Sequence, residues 1–331
     1  MATYKGIKGF SIQNLSADPS NPIEGEMWYN STSNVWKVEE LTTAGTWATG
    51  GNLPSARYGA RGAGAAPVDA SLSFGGFTTT VIASTEEYNG TSWSPGGNLS
   101  TARYRMGGAG TQTAGLGFGG IAPPVILNAT EEYNGSAWTA GGNMGTARYG
   151  LSGAGTQTAG LAFGGNTPTP PLAVTEEYDG SSWTAGGNLN TARAAMAGCG
   201  LQTAALSIGG NVPPGKAATE EYNGTSWTSV NSLNTGRSYL GGFGSQTAAA
   251  AAFGSSAAPV TDLAATEEYD GTSWTSNPVS GSTARNGAGS TGSPSAGVFF
   301  GGRAPPGEVS QSATEEYTRS GTAVTKTITV S

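Results

Sequence analysis

The sequence predicts an all-β fold built from six repeats of four short strands, and three observations support this prediction. Glycine accounts for 55 of the 331 residues and charged residues for only 11%, a composition typical of turn-rich β proteins and not of helical bundles. The string TEEY recurs at intervals of about 45 residues, a period typical of four-stranded repeat units. Asn-Gly or Asp-Gly follows five of its six copies, and these dipeptides favour tight turns between antiparallel strands.

The charge and the cysteine content exclude several classes of protein. The net charge is −7 and only 15 residues are Lys or Arg, so we expect no nucleic-acid partner. The single cysteine, Cys199, rules out an intrachain disulfide bond. The N-terminal residues lack the apolar core of a signal peptide, and no apolar run approaches the ~20 residues of a membrane span. We therefore expect neither an export signal nor membrane insertion.

Each repeat carries the same four landmark residues in the same order. An arginine precedes an apolar strand that ends in Gly-Gly (Gly254-Ser255 in the fifth repeat), TEEY follows, and a tryptophan comes after the turn. The arginines are Arg57, Arg103, Arg148, Arg193, Arg237 and Arg285, the first glutamates of TEEY are Glu86, Glu131, Glu176, Glu220, Glu267 and Glu315, its tyrosines are Tyr88, Tyr133, Tyr178, Tyr222, Tyr269 and Tyr317, and the tryptophans are Trp47, Trp93, Trp138, Trp183, Trp227 and Trp274. Because these residues serve every repeat alike, we interpret them as structural.

The turn after TEEY predicts how two strands of a repeat pair. A two-residue type I′ turn at Asn89-Gly90 joins the strand that ends at Tyr88 to the strand that contains Trp93. Alternate residues of a strand lie on opposite faces of the sheet. Counted outward from this turn, Glu86, Tyr88 and Trp93 are therefore expected on one face.

Four strands per repeat indicate a β-propeller, in which blades are arranged radially. In the second repeat, the two inner strands are expected at 104–110 and 115–119. Trp47 has no TEEY before it, whereas the last TEEY, at 314–317, has no tryptophan after it. The strand around Trp47 is therefore expected to complete the sixth blade and close the ring. The alternating tail TAVTKTITVS is expected to add a strand beside it.

The repeat resembles the kelch repeat. The resemblance lies in the arginine before the first strand, in the apolar strand ending in Gly-Gly, and in the Tyr and Trp on either side of a turn, as in LSTARYRMGGAGTQTAGLGFGG and TEEYNGSAW. It extends over most of the chain and implies a six-bladed propeller over residues 43–331. The WD40 repeat has a similar period but is typified by Gly-His and Trp-Asp pairs, and this sequence has no histidine.

Residues 1–42 lie outside the repeats. They contain GEMWYNSTSNVWKVEEL, in which two alternating aromatic segments flank a polar turn and predict a β-hairpin. This stretch resembles the N-terminal hairpins of virion structural proteins of tailed phages, in particular marine phages and cyanophages. The resemblance implies an attachment segment, with Trp28, Tyr29 and Trp36 as candidate contact residues.

The recurring charged residues allow a catalytic interpretation as well as a structural one. The carboxylates could bind a metal, and the arginines could form an anion site of the sialidase type. We expect instead that the first Glu of each pair meets the arginine that opens the next strand, because such a pair compensates two buried charges. The absence of histidine also removes the usual base of a nucleophilic pair. No catalytic residue, metal or cofactor is predicted. Three arginines, Arg61, Arg105 and Arg303, depart from the repeat.

The segments between Gly-Gly and TEEY differ in every repeat. They are rich in proline and carry apolar residues, and stiff variable loops on a rigid scaffold commonly form binding surfaces. The predicted partner-binding residues are Val81, Ile82, Ile121, Val125, Ile126, Leu127, Pro170, Pro171 and Leu172. The alternative is that these apolar residues fold back onto the blades.

Together these features predict a non-enzymatic virion component of a tailed phage, such as a tail fibre, a spike or a surface-decorating protein. Residues 1–42 would bind other virion proteins, and the loops would bind a host-surface glycan or protein, with many copies on each particle. Such a protein is assembled in the host cytoplasm. Two alternatives stay open: an intracellular kelch-type interaction scaffold, and a glycan-active propeller enzyme.

Overall fold

The computed structural model describes residues 13–19, 26–41, 44–63, 68–168, 170–211, 217–256, 260–321 and 323–328. All regular secondary structure in these residues is β-strand, and no helix among them is long and apolar enough to cross a membrane. The chain forms two compact units, Trp47–Thr318 and the combination of Met1–Thr46 with Arg319–Ser331.

The larger unit is a six-bladed β-propeller, as predicted. Each blade is a four-stranded antiparallel sheet whose strands follow one another from the centre outward. The strands, inner to outer, are Arg61–Ala63, Ser71–Phe74, Thr85–Tyr88 and Trp93–Pro95 in blade 1; Gly107–Gly110, Gly115–Phe118, Thr130–Tyr133 and Trp138–Ala140 in blade 2; Ser152–Gly155, Gly160–Phe163, Thr175–Tyr178 and Trp183–Ala185 in blade 3; Ala197–Leu201, Ala204–Ile208, Thr219–Tyr222 and Trp227–Val230 in blade 4; Gly241–Ser245, Ala248–Ala252, Thr266–Tyr269 and Trp274–Ser276 in blade 5; and Gly289–Gly292, Ala296–Phe300, Thr314–Thr318 and Thr46–Gly50 in blade 6. Three short pairs lie outside the blades: Ile121–Ala122 with Val125–Ile126, Arg237–Ser238 with Ser255–Ser256, and Arg303–Ala304 with Val309–Ser310.

The two ends of the repeat region meet in blade 6. Its outer strand, Thr46–Gly50, lies beside Thr314–Thr318, so Trp47 belongs to the last blade as the sequence predicts. At the centre, each inner strand neighbours the next, and Gly289–Gly292 neighbours Arg61–Ala63 of the first blade.

The blades are joined by the repeated tryptophans. Trp138 packs on Phe74 of the preceding blade, with 4.9 Å between ring centroids, and its indole Nε1–H donates a 2.9 Å hydrogen bond to the hydroxyl of Thr85 in that blade. The same bond joins Trp93 to Thr314, Trp183 to Thr130, Trp227 to Thr175 and Trp274 to Thr219. Each of these tryptophans therefore satisfies a buried polar group of the neighbouring blade.

The joint between blades 5 and 6 differs from the others. Within the described residues, neither the indole nitrogen of Trp47 nor the hydroxyl of Thr266 has a hydrogen-bond partner. Trp47 packs instead against three rings, those of Phe253, Phe299 and Tyr317, at centroid distances of 5.2, 5.3 and 4.8 Å.

A second set of bonds runs around all six joints. The hydroxyl of Tyr133 donates a 2.6 Å hydrogen bond to Glu87, the second glutamate of the preceding TEEY. The equivalent pairs are Tyr88 with Glu316, Tyr178 with Glu132, Tyr222 with Glu177, Tyr269 with Glu221 and Tyr317 with Glu268. Burial, and then the bond to Glu87, raises the pKa of Tyr133 to about 12.

The predicted two-residue turn after TEEY is wrong. Tyr88 pairs directly with Trp93, so four residues connect the two strands. The side-chain oxygen of Asn89 accepts hydrogen bonds from the backbone N–H groups of Thr91 and Ser92, at 3.0 and 2.8 Å. This local bonding stabilises a wider loop than the type I′ turn.

The smaller unit contains one sheet with the strand order Gln13–Leu15, Met27–Asn30, Val35–Leu41 and Ala323–Ile328. The second and third strands form the predicted hairpin, and the first is parallel to the second. The tail strand pairs antiparallel with Val35–Leu41, so the prediction that it lies beside blade 6 is wrong. Val35–Leu41 is longer than any blade strand and pairs with the tail over six residues.

Asp18 organises the polar contacts of the smaller unit. Its carboxylate accepts hydrogen bonds from the Trp28 indole at 3.0 Å, from the Asn30 amide at 2.8 Å and from the Lys37 ammonium at 2.5 Å. Trp28 is only 1% exposed, whereas Tyr29 and Trp36 are half-buried and their rings lie 5.3 Å apart. Of the three candidate attachment residues, Trp28 is therefore a core residue.

We expect Trp138→Phe to destabilise the propeller by about 1–3 kcal/mol more than Trp47→Phe, because only the first change leaves a bonded hydroxyl, that of Thr85, without its partner. Both changes remove similar apolar surface, which makes the second a matched control. Chemical denaturation measures the two free energies of unfolding. If both variants lose the same free energy of unfolding, the indole hydrogen bond of Trp138 does not contribute to stability.

The tyrosine ring predicts a pH dependence. In the unfolded chain Tyr133 ionises near its ordinary pKa of 10.0, but in the folded protein only near 12, so its contribution to stability is complete below pH 10 and is lost as pH rises toward 12. The difference in free energy of unfolding between the wild-type protein and Tyr133→Phe should be constant below pH 10 and should narrow above it. Denaturation curves across this range measure it, and a constant difference up to pH 12 would contradict the prediction.

Candidate functional site

The repeated arginines and glutamates form six buried ion pairs. Each arginine bonds the first glutamate of TEEY in its own blade, and the expectation that the glutamate meets the arginine of the next strand is wrong. The reason is that the arginine precedes the inner strand of a blade and TEEY forms the third strand of the same blade, so the two side chains meet within one sheet. The pairs are Arg57 with Glu86 at 2.6 Å, Arg148 with Glu176 at 3.0 Å, Arg193 with Glu220 at 2.9 Å, Arg237 with Glu267 at 2.7 Å, Arg285 with Glu315 at 2.6 Å, and Arg103 with Glu131.

The surroundings of these pairs are those of a structural element. Arg148 also donates to the carbonyls of Gly164 and Val174, at 3.2 and 2.6 Å, and Glu176 accepts from the Gly145 N–H at 2.6 Å. Burial lowers the pKa of Arg148, and the carboxylate of Glu176 opposes this shift. The part of the chain that the structure describes contains no group of three or more His, Cys, Asp or Glu residues that could hold a metal ion.

The six blades meet in a ring of backbone hydrogen bonds at one end of the central channel. One residue per blade has a left-handed conformation, and its N–H donates to the carbonyl of the equivalent residue in the preceding blade at 2.7–2.9 Å. In chain order these residues are Gly59, Arg105, Gly150, Ala195, Tyr239 and Gly287. We call them the backbone ring. Because Arg105 belongs to it, the inner strand of blade 2 begins at Gly107 and not at 104 as predicted.

The variable loops lie at the same end of the blades as the backbone ring. In five blades the residue before the ring residue forms a β-bridge with the residue after Gly-Gly, as Tyr58 does with Phe77 and Tyr104 with Ile121. In blade 5 the equivalent residues, Ser238 and Ser255, belong to a short strand pair. We call this end of the propeller the loop face. The three arginines that depart from the repeat, Arg61, Arg105 and Arg303, gather here, although the sequence does not place them together.

Arg61 lies across the channel beneath the backbone ring. Its Nε donates to the carbonyl of Met106 at 2.6 Å and its Nη2 to the carbonyl of Leu151 at 2.7 Å, so it reaches two further blades. The other five blades have small residues at the position of Arg61: Gly107, Ser152, Ala197, Gly241 and Gly289. These small residues leave room for its side chain. Burial lowers the pKa of Arg61 to about 10.

Arg105 and Arg303 are held by aromatic rings around the channel mouth. The Arg105 guanidinium lies 5.5 Å from the ring of Tyr104 and 5.3 Å from that of Tyr239. Arg303 stacks 4.2 Å above Tyr58 and pairs with Glu308 at 3.2 Å. Such cation–π contacts hold a guanidinium without using its hydrogen-bond donors.

Three aromatic residues of this cluster come from the neighbouring blades 1 and 2. Tyr58, Phe77 and Tyr104 contact one another at centroid distances of 5.4–6.0 Å. At the equivalent positions of blade 4 stand Ala194 and Asn211. The sequence analysis missed this cluster, although its signal is present: the residue after the repeated arginine is tyrosine in only three of six repeats.

The predicted loop residues divide into two groups. Ile82, Leu127 and Leu172 are half-buried, and their N–H groups donate to Gly-Gly carbonyls while their own carbonyls accept from the next repeated arginine. Val81, Ile121, Ile126 and Pro171 are also half-buried, and Pro170 is exposed. Val125 projects into solvent with 55% of its surface exposed, as do Val260 at 74% and Val309 at 58% in two other loops. The half-buried residues therefore fit the interpretation that apolar loop residues fold back onto the blades. Val125 fits the interpretation that the loops offer apolar groups to a partner.

The comparisons with known proteins add no relative: the chain matches no protein-family model and no curated protein.

We expect Glu131→Gln to destabilise the protein by about 3–5 kcal/mol, because it leaves the buried Arg103 guanidinium without its countercharge. The double variant Arg103→Met/Glu131→Leu should recover part of this loss, since it removes both charges. Thermal and chemical denaturation measure the two effects. A single variant as stable as the wild-type protein would show that the ion pair contributes nothing.

Proposed function

We propose that this chain is a non-enzymatic component of a tailed-phage virion that displays a kelch-type propeller. In this proposal the loop face binds a host-surface glycan or protein, and the smaller unit binds other virion proteins. Many copies on one particle would convert weak single contacts into strong attachment.

The observation that carries this proposal is the concentration of non-repeated features on the loop face. Exposed valines project from three different loops, at Val125, Val260 and Val309. The aromatic and arginine cluster surrounds the channel mouth at the same end. Aromatic and arginine side chains are enriched among the residues that contribute most to binding, and exposed apolar side chains such as these valines gain free energy when a partner buries them.

The rigidity of the propeller supports a display role. The loops start from blades that are joined by the tryptophan bonds, the tyrosine bonds and the backbone ring. Two of them also form β-pairs of their own, Ile121–Ala122 with Val125–Ile126 and Arg303–Ala304 with Val309–Ser310. Loops that are ordered before contact lose little conformational entropy on binding.

The smaller unit supports an attachment role because it is a separate compact body made from both chain ends. Of the predicted attachment segment, the structure describes residues 13–19 and 26–41, and the remaining residues up to 42 lie outside the described part. Met27 is 42% exposed, and Tyr29 and Trp36 form a half-buried aromatic pair. These three residues supply apolar surface for a partner.

The test compares two sets of phage particles. The triple variant Val125→Ser/Val260→Ser/Val309→Ser should enter particles normally and adsorb more weakly to host cells, because it removes exposed apolar groups from the loop face alone. Leu201→Ser is the matched control, because Leu201 is also 57% exposed but lies at the other end of an inner strand. A chain lacking residues 1–42 and 322–331 should fail to enter particles while its propeller still unfolds cooperatively.

Three results would contradict the proposal. Mass spectrometry of purified particles could find the protein absent, which would remove the virion role. The triple valine variant could adsorb as well as the wild-type protein, which would remove the loop face as the binding surface. The truncated chain could enter particles normally, which would remove the smaller unit as the point of attachment.

A further inference from the structure

We propose that Arg61 and Arg105 bind the carboxylate group of a small molecule in a cavity inside the backbone ring, at the loop-face end of the channel. This inference does not depend on the virion role, since it concerns the isolated protein and a ligand that enters from solvent.

The cavity is enclosed by the backbone ring and by the first residues of the inner strands. Its volume is about 40 Å³. Its lining residues include Arg61, Arg105 and Tyr239, and also the apolar residues Ala60, Met196, Leu240 and Ala288. A single water molecule needs about 10–15 Å³ of such a cavity. The space therefore accommodates a group of a few atoms, such as a carboxylate.

The charges around the cavity favour an anion. Two arginines, Arg61 and Arg105, are among its lining residues, and no Asp or Glu is among those that the structure describes. Neither Arg61 nor Arg105 has an ion pair in that part of the chain. A bound anion would reduce the repulsion between two like charges in a partly enclosed site, where their interaction is screened less than in bulk solvent.

The nearby carboxylates are already engaged. Glu308 pairs with Arg303 at 3.2 Å. Asp262 accepts a 2.7 Å hydrogen bond from the Ser255 hydroxyl and further bonds from the Asn286 amide at 3.0 and 3.1 Å. Neither Glu308 nor Asp262 lines the cavity, so neither occupies the place of the proposed ligand.

The donors of the two arginines suit a planar carboxylate. The Nε and Nη2 of Arg61 are directed at the carbonyls of Met106 and Leu151, which fixes the plane of its guanidinium and leaves Nη1 for a ligand. Arg105 is held by the rings of Tyr104 and Tyr239, so its N–H donors are not consumed by that contact. Guanidinium groups bind carboxylates through such fixed, coplanar donors.

The experiment uses the full chain labelled with nitrogen-15 arginine and titrated with sodium formate, with sodium chloride at equal ionic strength as the control. The Nε–H signals of Arg61 and Arg105 should both shift and should saturate with a dissociation constant of about 1 mM. Chloride should not reproduce the saturable shift. Arg105→Met should weaken formate binding by about tenfold. Arg303→Met, which removes a mouth arginine that does not line the cavity, should change it less than about twofold.

Four results would overturn the inference: no saturable shift, the same shift with chloride, a shift of Arg105 without Arg61, or equal losses in Arg105→Met and Arg303→Met. The last two would indicate binding at the outer aromatic surface. Because the labelled wild-type protein supplies the first three outcomes, the test does not require that any variant folds. Particle incorporation and adsorption are not measured here, so failure of this site and failure of the proposed function are distinguishable.

Discussion

The joint between neighbouring blades is the constraint on which the rest of the structure depends. A four-stranded blade is too thin to bury two faces by itself, so each face must be covered by the next blade. The inner strands come so close that a Cβ atom on Gly153 would lie 2.6 Å from the carbonyl oxygen of Gly108 in the preceding blade. Glycine is therefore required where the blades converge, and the larger tryptophan and tyrosine side chains fill the joints farther out, where the blades diverge. The high glycine content and the spacing of the aromatic residues follow from the same geometry.

The polar groups of the joints follow from that burial. A buried donor or acceptor without a partner costs about 1–3 kcal/mol, and the repeat satisfies most of its own donors with residues of the adjacent blade. The joint between blades 5 and 6, to which the outer strand Thr46–Gly50 contributes, departs from this pattern. There Trp47 makes ring contacts instead of the indole bond, while the bond from Tyr317 to Glu268 is retained. Closure therefore depends on aromatic packing more than the other joints do.

The sequence was sufficient to predict the number of blades, the strand content, the position of Trp47 in blade 6 and the pairing of buried arginine with glutamate, but not that each of these pairs forms within a single blade. It was not sufficient where a single side chain decides the local backbone. Asn89 stabilises a wider hairpin loop because its side-chain Oδ1 accepts two backbone N–H groups. The dipeptide Asn-Gly alone is compatible with either loop length. The pairing of the tail with Val35–Leu41 depends on which strand edge is free, which an alternating pattern does not encode. The convergence of Arg61 and Arg105 depends on the backbone ring, which only the folded blades define.

The same reasoning indicates where function can reside. A residue that recurs in every blade serves the packing of the blades. A substitution there is expected to lower the stability of the propeller rather than to change a binding site selectively. A residue that departs from the repeat is free of that requirement. Arg61 has small residues as its five counterparts, so the fold does not need an arginine at that position, and its burial without a carboxylate partner is costly unless something else compensates it. Two backbone carbonyls compensate part of that cost. Arg61 lies at the centre of the repeated blades, and the cavity beside it is also lined by Arg105. Neither arginine has an ion pair among the residues that the structure describes, and this supports the proposed carboxylate ligand.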